Sequence, residues 1–132
     1  MDVTTNTMSA LVIKEATNIK RLATKEEVEK LNICFFAPAN FNNCIYGQMT
    51  GDCNSPRAIN LIQSCSELFY SVPFGLSAEK HLITTISLNR RRRGQFTNYS
   101  PIEFYIQTVD DKLSHKILID FLQDKTKTLN LK

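Results

Sequence analysis

Ser55 and Pro56 open the stretch that leaves this chain least freedom. A serine at a helix N-cap accepts a hydrogen bond from a free backbone N–H of the first turn. Proline suits the next position, because its missing N–H would have no partner there. Ala58, Leu61, Ile62, Cys65 and Phe69 then recur at intervals of three and four residues, which predicts an amphipathic helix of about four turns. A helix with one apolar stripe must bury it against something else, so the rest of the chain has to supply a body.

Other helix signals are spread along the chain. Thr24 with Glu27 three residues later is a capping-box pattern, and it predicts a helix carrying Val28, Leu31 and Phe35 on one face and ending near Pro38. Ser9 is positioned to cap an earlier helix through Leu11, Val12, Ala16, Ile19 and Ala23, leaving residues 1–9 loose, with Leu11 to Ile13 equally suited to open a strand. Ser100 and Pro101 repeat the cap-plus-proline signal ahead of Ile102, Tyr105, Ile106 and Val109. Ser114 is read as the start of a last helix through Ile117, Leu118, Phe121 and Leu122, with residues 125–132 loose.

Two segments read differently. Leu82 to Leu88 is rich in β-branched residues and has no breaker, so it predicts a strand. Gln95 to Tyr99 is placed to return beside it as a hairpin around Asn-Arg-Arg-Arg-Arg-Gly. Ala39 to Asn54, dense in Asn, Gly and Asp, predicts a loop, or a loop enclosing one short strand. The aromatics Phe35, Phe36, Phe69, Tyr105 and Phe121 fall at core spacing. The fold class that follows is α+β: one predominantly helical domain over residues 1–132 with a small antiparallel sheet or hairpin. The 132 residues suit one domain, and 42% apolar residues suffice for a core without staples.

Composition also limits function. No signal peptide is visible, and no window approaches the ~18 apolar residues that cross a bilayer. The expectation is a cytoplasmic protein without membrane contact. Nine, eight and eleven residues intervene between Cys34, Cys44, Cys53 and Cys65, and zinc sites normally include a close C-x₂₋₄-C pair. Reduced thiols packed as small apolar groups are therefore expected, with no metal and no cofactor.

Charge matters here through placement, since the net charge of +3 is small. Arg90, Arg91, Arg92 and Arg93 set four permanent cations side by side before Gly94. Guanidinium forks match phosphate and carboxylate oxygens in pairs. Lys80 adds to the same field, and Phe96 and Tyr99 lie close enough in sequence to stack on an exposed base. A helical body with a basic hairpin resembles a winged DNA-binding domain in outline. The competing explanation is a solvated strand edge whose charge blocks sheet-to-sheet pairing. The loop supplies a second candidate contact in Asn42, Asn43, Tyr46 and Gln48, or else a surface turn satisfied by its own Asn side chains.

Cys53 sits just ahead of the Ser55 cap, where the helix dipole stabilises a thiolate. Gln48 lies five residues upstream, and His81 follows at the head of the expected strand, with Asn98 or Glu103 available to orient it. The layout is similar to that of papain-type cysteine hydrolases, in which a Gln precedes a Cys at a helix start and a His follows on a strand. The resemblance implies Cys53 as nucleophile, Gln48 as oxyanion donor and His81 as base. The chain departs from that pattern in lacking the C-[GSA]-x-C or D-C-S-G surroundings, and Asp52 beside the thiol opposes thiolate formation.

Weighed together, these features favour a non-catalytic binding module, of the size of a small phage-type or accessory inhibitor, engaging nucleic acid or an acidic protein surface through the arginine run. A hydrolase or transferase using Cys53 is the alternative.

Overall fold

A computed structural model describes residues 3–37, 42–66, 68–73, 84–87, 96–109 and 111–129, with the backbone alone described at 3–7, 73, 84–87 and 96. Among these residues the chain forms six α-helices and a three-stranded antiparallel sheet: α1 (Val3–Leu22), α2 (Lys25–Glu29), α3 (Ile45–Thr50), α4 (Pro56–Cys65), β1 (Leu68–Pro73), β2 (Thr84–Ser87), β3 (Phe96–Tyr99), α5 (Pro101–Thr108) and α6 (Lys112–Leu122). The architecture is the mostly helical α+β class expected.

Helix α1 is the hub, packing against α4, α5 and α6. Its buried stripe runs Met8, Val12, Glu15, Ala16 and Ile19, spaced by three and four residues as one helix face requires. Met8 extends that stripe a turn before Val12, and the helix begins at Val3 and not at Ser9, so the early residues 3–9 are helical. Lys20 and Arg21 in its last turn complement the negative end of the helix dipole.

The Thr24–Glu27 capping box forms, but its helix stops at Glu29. Val28 and Leu31 turn inward, while Phe35 falls in a separate 3₁₀ turn, Ile33–Phe35, and is 64% exposed. Its placement in the core is corrected accordingly: the helical spacing that linked it to Leu31 is broken between the two. The last helix is capped by Asp111, whose carboxylate takes the N–H groups of Leu113 and Ser114, so Ser114 is an early helical residue and not the cap.

The sheet differs most from expectation. Helix α4 ends at Cys65, and Phe69 belongs to the central strand β1, not to the helix. Its spacing of four from Cys65 mimics another helical turn. β1 is buried on both faces, with Phe69 and Ser71 on one and Tyr70 and Val72 on the other. β2 and β3 flank it on opposite sides, Phe69 opposing Ile86 and Tyr70 opposing Tyr99. β2 and β3 therefore do not pair as a hairpin; β1 takes the place between them. Helix α5 closes one face through Phe104, which stacks on Tyr70 at 4.3 Å and meets Tyr99 edge-on at 6.0 Å. No helix among the described residues is long and apolar enough to cross a membrane.

Candidate functional site

The chemistry-bearing side chains converge where α1, α3 and the start of α5 meet. The segment read as an Asn-rich loop contains α3 instead. Cys44 caps it, its Sγ accepting the Gly47 N–H at 3.3 Å. Gly51 ends it at φ +96°, a left-handed conformation that side chains beyond glycine adopt only with strain. That turn reverses the chain and brings Cys53 back to the Cys44 thiol, with which it is in hydrogen-bonding contact. Both sulfurs are buried, as is Cys65, while Cys34 is exposed.

Beneath α3 lie two buried carboxyls. Glu15 Oε2 accepts the Tyr46 hydroxyl at 2.5 Å and the Ser66 hydroxyl at 3.0 Å, and its Oε1 accepts the Ile102 N–H at 2.8 Å. Glu103 closes a capping box with Ser100 and reaches across to the Ile45 N–H at 3.0 Å. Burial pushes both acids upward against these donors, Glu103 to about 7. The network ties the start of α5 to α1 and α3, so its first role is to fix three elements.

Its second effect is on the thiols. Cys44 is held well above the ordinary thiol range, chiefly by the contact with Cys53, then by burial and the neighbouring Glu103. Burial also raises Cys65, to about 11. A thiol in such surroundings keeps its proton.

The residues singled out from sequence fall into three groups. Tyr46 and Tyr99 are 1% and 6% exposed, so neither offers a ring to a partner: Tyr46 is drawn inward by Glu15, and Tyr99 packs on Phe104. Gln48 bridges main-chain groups, accepting from Asn32 N at 2.7 Å and donating to Asn43 O at 2.9 Å. Its amide is thus spent on structure and not aimed at the Cys53 sulfur, which is itself 5% exposed. Asn42 is exposed in the turn before α3 and Asn43 is half-buried there. Lys80, His81 and Arg90 to Arg93 lie outside the described residues, and of Phe96 only the backbone, in β3, is described.

Sequence reasoning missed Glu15, although a signal was present: it falls at the helical spacing of Val12 and Ile19, inside an apolar stripe. The pairing of Cys44 with Cys53 left no such trace. Among the described residues no group of three His, Cys, Asp or Glu side chains is arranged to hold a metal ion. Comparison with protein-family models, with curated proteins and with solved structures found no match to this chain in any of the three.

Proposed function

We propose that this protein is a non-catalytic binding module of the cytoplasm that engages a polyanion, nucleic acid first, through Arg90, Arg91, Arg92 and Arg93. The observation that supports this reading is that most carboxylates among the described residues are committed elsewhere. Glu15 and Glu103 are buried in the helical network. Glu27, Asp120 and Asp124 pair with Arg57, Lys116 and Lys20 at 2.7, 2.7 and 3.1 Å, and Glu29 faces Lys25 at 4.0 Å. Asp111 caps α6. Among the described acids only Glu26 and Asp52 have neither burial, a cation nor a helix to cap, against four adjacent guanidinium groups that stay charged at any physiological pH.

The alternative, a hydrolase using Cys53, gains less support. A nucleophile needs access, and Cys53 is buried beside the Cys44 thiol.

Anisotropy titrations with labelled single- and double-stranded oligonucleotides test the reading. With up to four phosphates neutralised, log K should fall by about 3 per log unit of salt. Replacing Arg90 to Arg93 with serine should abolish binding. Binding that survives this replacement, or that ignores salt, overturns the proposal. A response to polyglutamate without one to oligonucleotides moves the partner to an acidic protein surface.

A further inference from the structure

Two carboxyls hold successive residues of α3 from successive residues of α5. Glu103 Oε2 takes the Ile45 N–H at 3.0 Å, and Glu15 Oε2 takes the hydroxyl of the next residue, Tyr46, at 2.5 Å. At the other end Glu15 Oε1 takes the Ile102 N–H at 2.8 Å, one residue before Glu103. Both acids are buried, and among the described residues neither pairs with a cation. Glu103 is faced by Glu15 from α1, Cys44 at the cap of α3, Cys53 after that helix and Tyr99 from β3. Glu15 is faced by Tyr46 from α3, Cys65 and Ser66 at the end of α4, Tyr70 from β1 and Ser100 and Glu103 at α5. Arg21 and Arg57, which act on Cys65, are bonded to Asn18 and Glu27. Every titratable group that faces the pair is thus neutral or anionic. Two buried carboxyls in such surroundings cannot both ionise without admitting water.

We infer that α3 is a proton-operated latch: one proton on the Glu15–Glu103 pair holds it down, and loss of that proton lets α3 lift away while the rest of the chain stays folded. The helix has six residues, too few to persist in isolation. Its main packing is on α2 and α4, whereas α1 packs on α4, α5 and α6, so the body is closed without it. Lifting α3 bares Ile45, Tyr46 and Met49, which keeps the open form rare at any pH. The proton sets how rare. Burial and the neighbouring Glu15 lift Glu103 to about 7 in the closed form, against 4.5 once water reaches it. Closure is therefore favoured in full below pH 4.5 and weakens as pH rises through about 7. This inference stands independently of the polyanion reading.

The test is amide hydrogen exchange on the full chain, followed by NMR, with each rate divided by the intrinsic rate at its pH. Gln48 and Gly51, whose N–H groups bond to the Cys44 carbonyl at 2.8 Å and the Gly47 carbonyl at 2.7 Å, report on α3. Ala16 and Ile19 report on α1. Between pH 5 and pH 8 the opening constant of the α3 amides should rise on the order of 50-fold. At pH 8 it should exceed that of the α1 amides by at least about tenfold. Low urea should leave the α3 amides unchanged and accelerate the α1 amides, because a local opening exposes little surface. In Glu103→Gln most of the rise with pH should disappear. If that variant does not fold, the comparison of α3 with α1 in the original protein still decides. Exchange of the α3 amides at the rate and with the urea dependence of the α1 amides overturns the inference, since α3 then opens only with the whole protein. So does an α3 opening constant that stays flat or falls from pH 5 to pH 8, or a rise kept in full by both Glu103→Gln and Glu15→Gln.

Discussion

Glu27 and Glu103 hold the same position in two copies of one motif. Each is the third residue of a helix, takes the N–H of the cap residue three places back, and has its own N–H taken by that residue's hydroxyl. The bond lengths barely differ: 2.8 and 3.1 Å in the Thr24 box, 3.0 and 3.3 Å in the Ser100 box. The surroundings differ completely. Glu27 lies at the rim under the Arg57 guanidinium, which holds it down to about 2. Glu103 is 4% exposed, with the Ile45 N–H as its extra donor and Glu15 as a charged neighbour, and burial lifts it to about 7. A capping box fixes local geometry and leaves the electrostatics of its acid to the tertiary structure. The two boxes should therefore respond in opposite senses to the same perturbations.

The largest effect is expected from the group that makes the Ser100 site so different. Glu15→Ala removes the acceptor for the Tyr46 hydroxyl, the Ser66 hydroxyl and the Ile102 N–H together. Buried donors left unpaired cost about 1–3 kcal/mol each, and Tyr46 and Ser66, 3.2 Å apart, can partly satisfy each other. A net loss of about 4 kcal/mol in urea unfolding is expected. A loss under ~1 kcal/mol would show that the network does not tie α1 to α3 and α5.

The second effect is a pH dependence of unusual sign. Glu103 titrates at about 7 in the folded protein against 4.5 in the unfolded chain, so between these values the folded state keeps a proton that the unfolded state releases. Stability is full below pH 4.5 and declines as pH rises through about 7, by up to about 3 kcal/mol. Glu15, raised in the same way, adds to the trend. Urea midpoints should thus be higher at pH 5 than at pH 8. In Glu103→Gln the slope should flatten, at the cost of one N–H facing an amide N–H. A midpoint that climbs steadily from pH 5 to pH 8 would mean that Glu103 is ionised throughout.

The caps themselves separate less. Ser100 is fully buried and Thr24 exposed. Ser100→Ala leaves the Glu103 N–H without its acceptor inside the protein, whereas Thr24→Ala hands the Glu27 N–H to water. We expect about 2 kcal/mol for the first and about 1 kcal/mol for the second. Equal costs would indicate that water reaches the Ser100 box.

Legibility in the sequence follows the same division between local and tertiary causes. The Thr24 capping box, the Ser55–Pro56 and Ser100–Pro101 starts and the apolar faces of α4, α5 and α6 could be read directly, because each is encoded within a few residues. The class α+β followed from them. What could not be read depended on the third dimension. Phe69 fits a helix by spacing and a strand by partner, and the partners are Ile86 and a sheet that sequence spacing does not reveal. Tyr46 and Gln48 lie in a polar, Asn-rich stretch that reads as surface, yet Glu15, 31 residues before Tyr46, draws the ring inward. Cys44 reads as one cysteine among four, yet its Sγ caps α3 by accepting the Gly47 N–H.

The smallest prediction probes the rim. Arg57 donates to both Glu27 oxygens, at 2.7 and 2.9 Å, and to the Leu22 carbonyl at 3.1 Å, joining α4 to the α1–α2 corner. Its side chain is 45% exposed, so water screens the pair and Arg57→Gln should cost only about 0.5–1 kcal/mol at pH 7. The sign opposes that of Glu103. A carboxyl lowered to about 2 adds stability above its unfolded value of 4.5, and that stability is lost as pH falls through about 2. The gap between the original protein and Arg57→Gln should therefore close on acidification below pH 4.5, and shrink in molar salt, where an exposed pair is screened. The Glu103 slope between pH 5 and pH 8 should remain in the variant unchanged, because the two boxes are separate sites with no shared partner. If Arg57→Gln altered that slope as well, the two boxes would be electrostatically coupled, and their opposite behaviour could not be assigned to local surroundings alone.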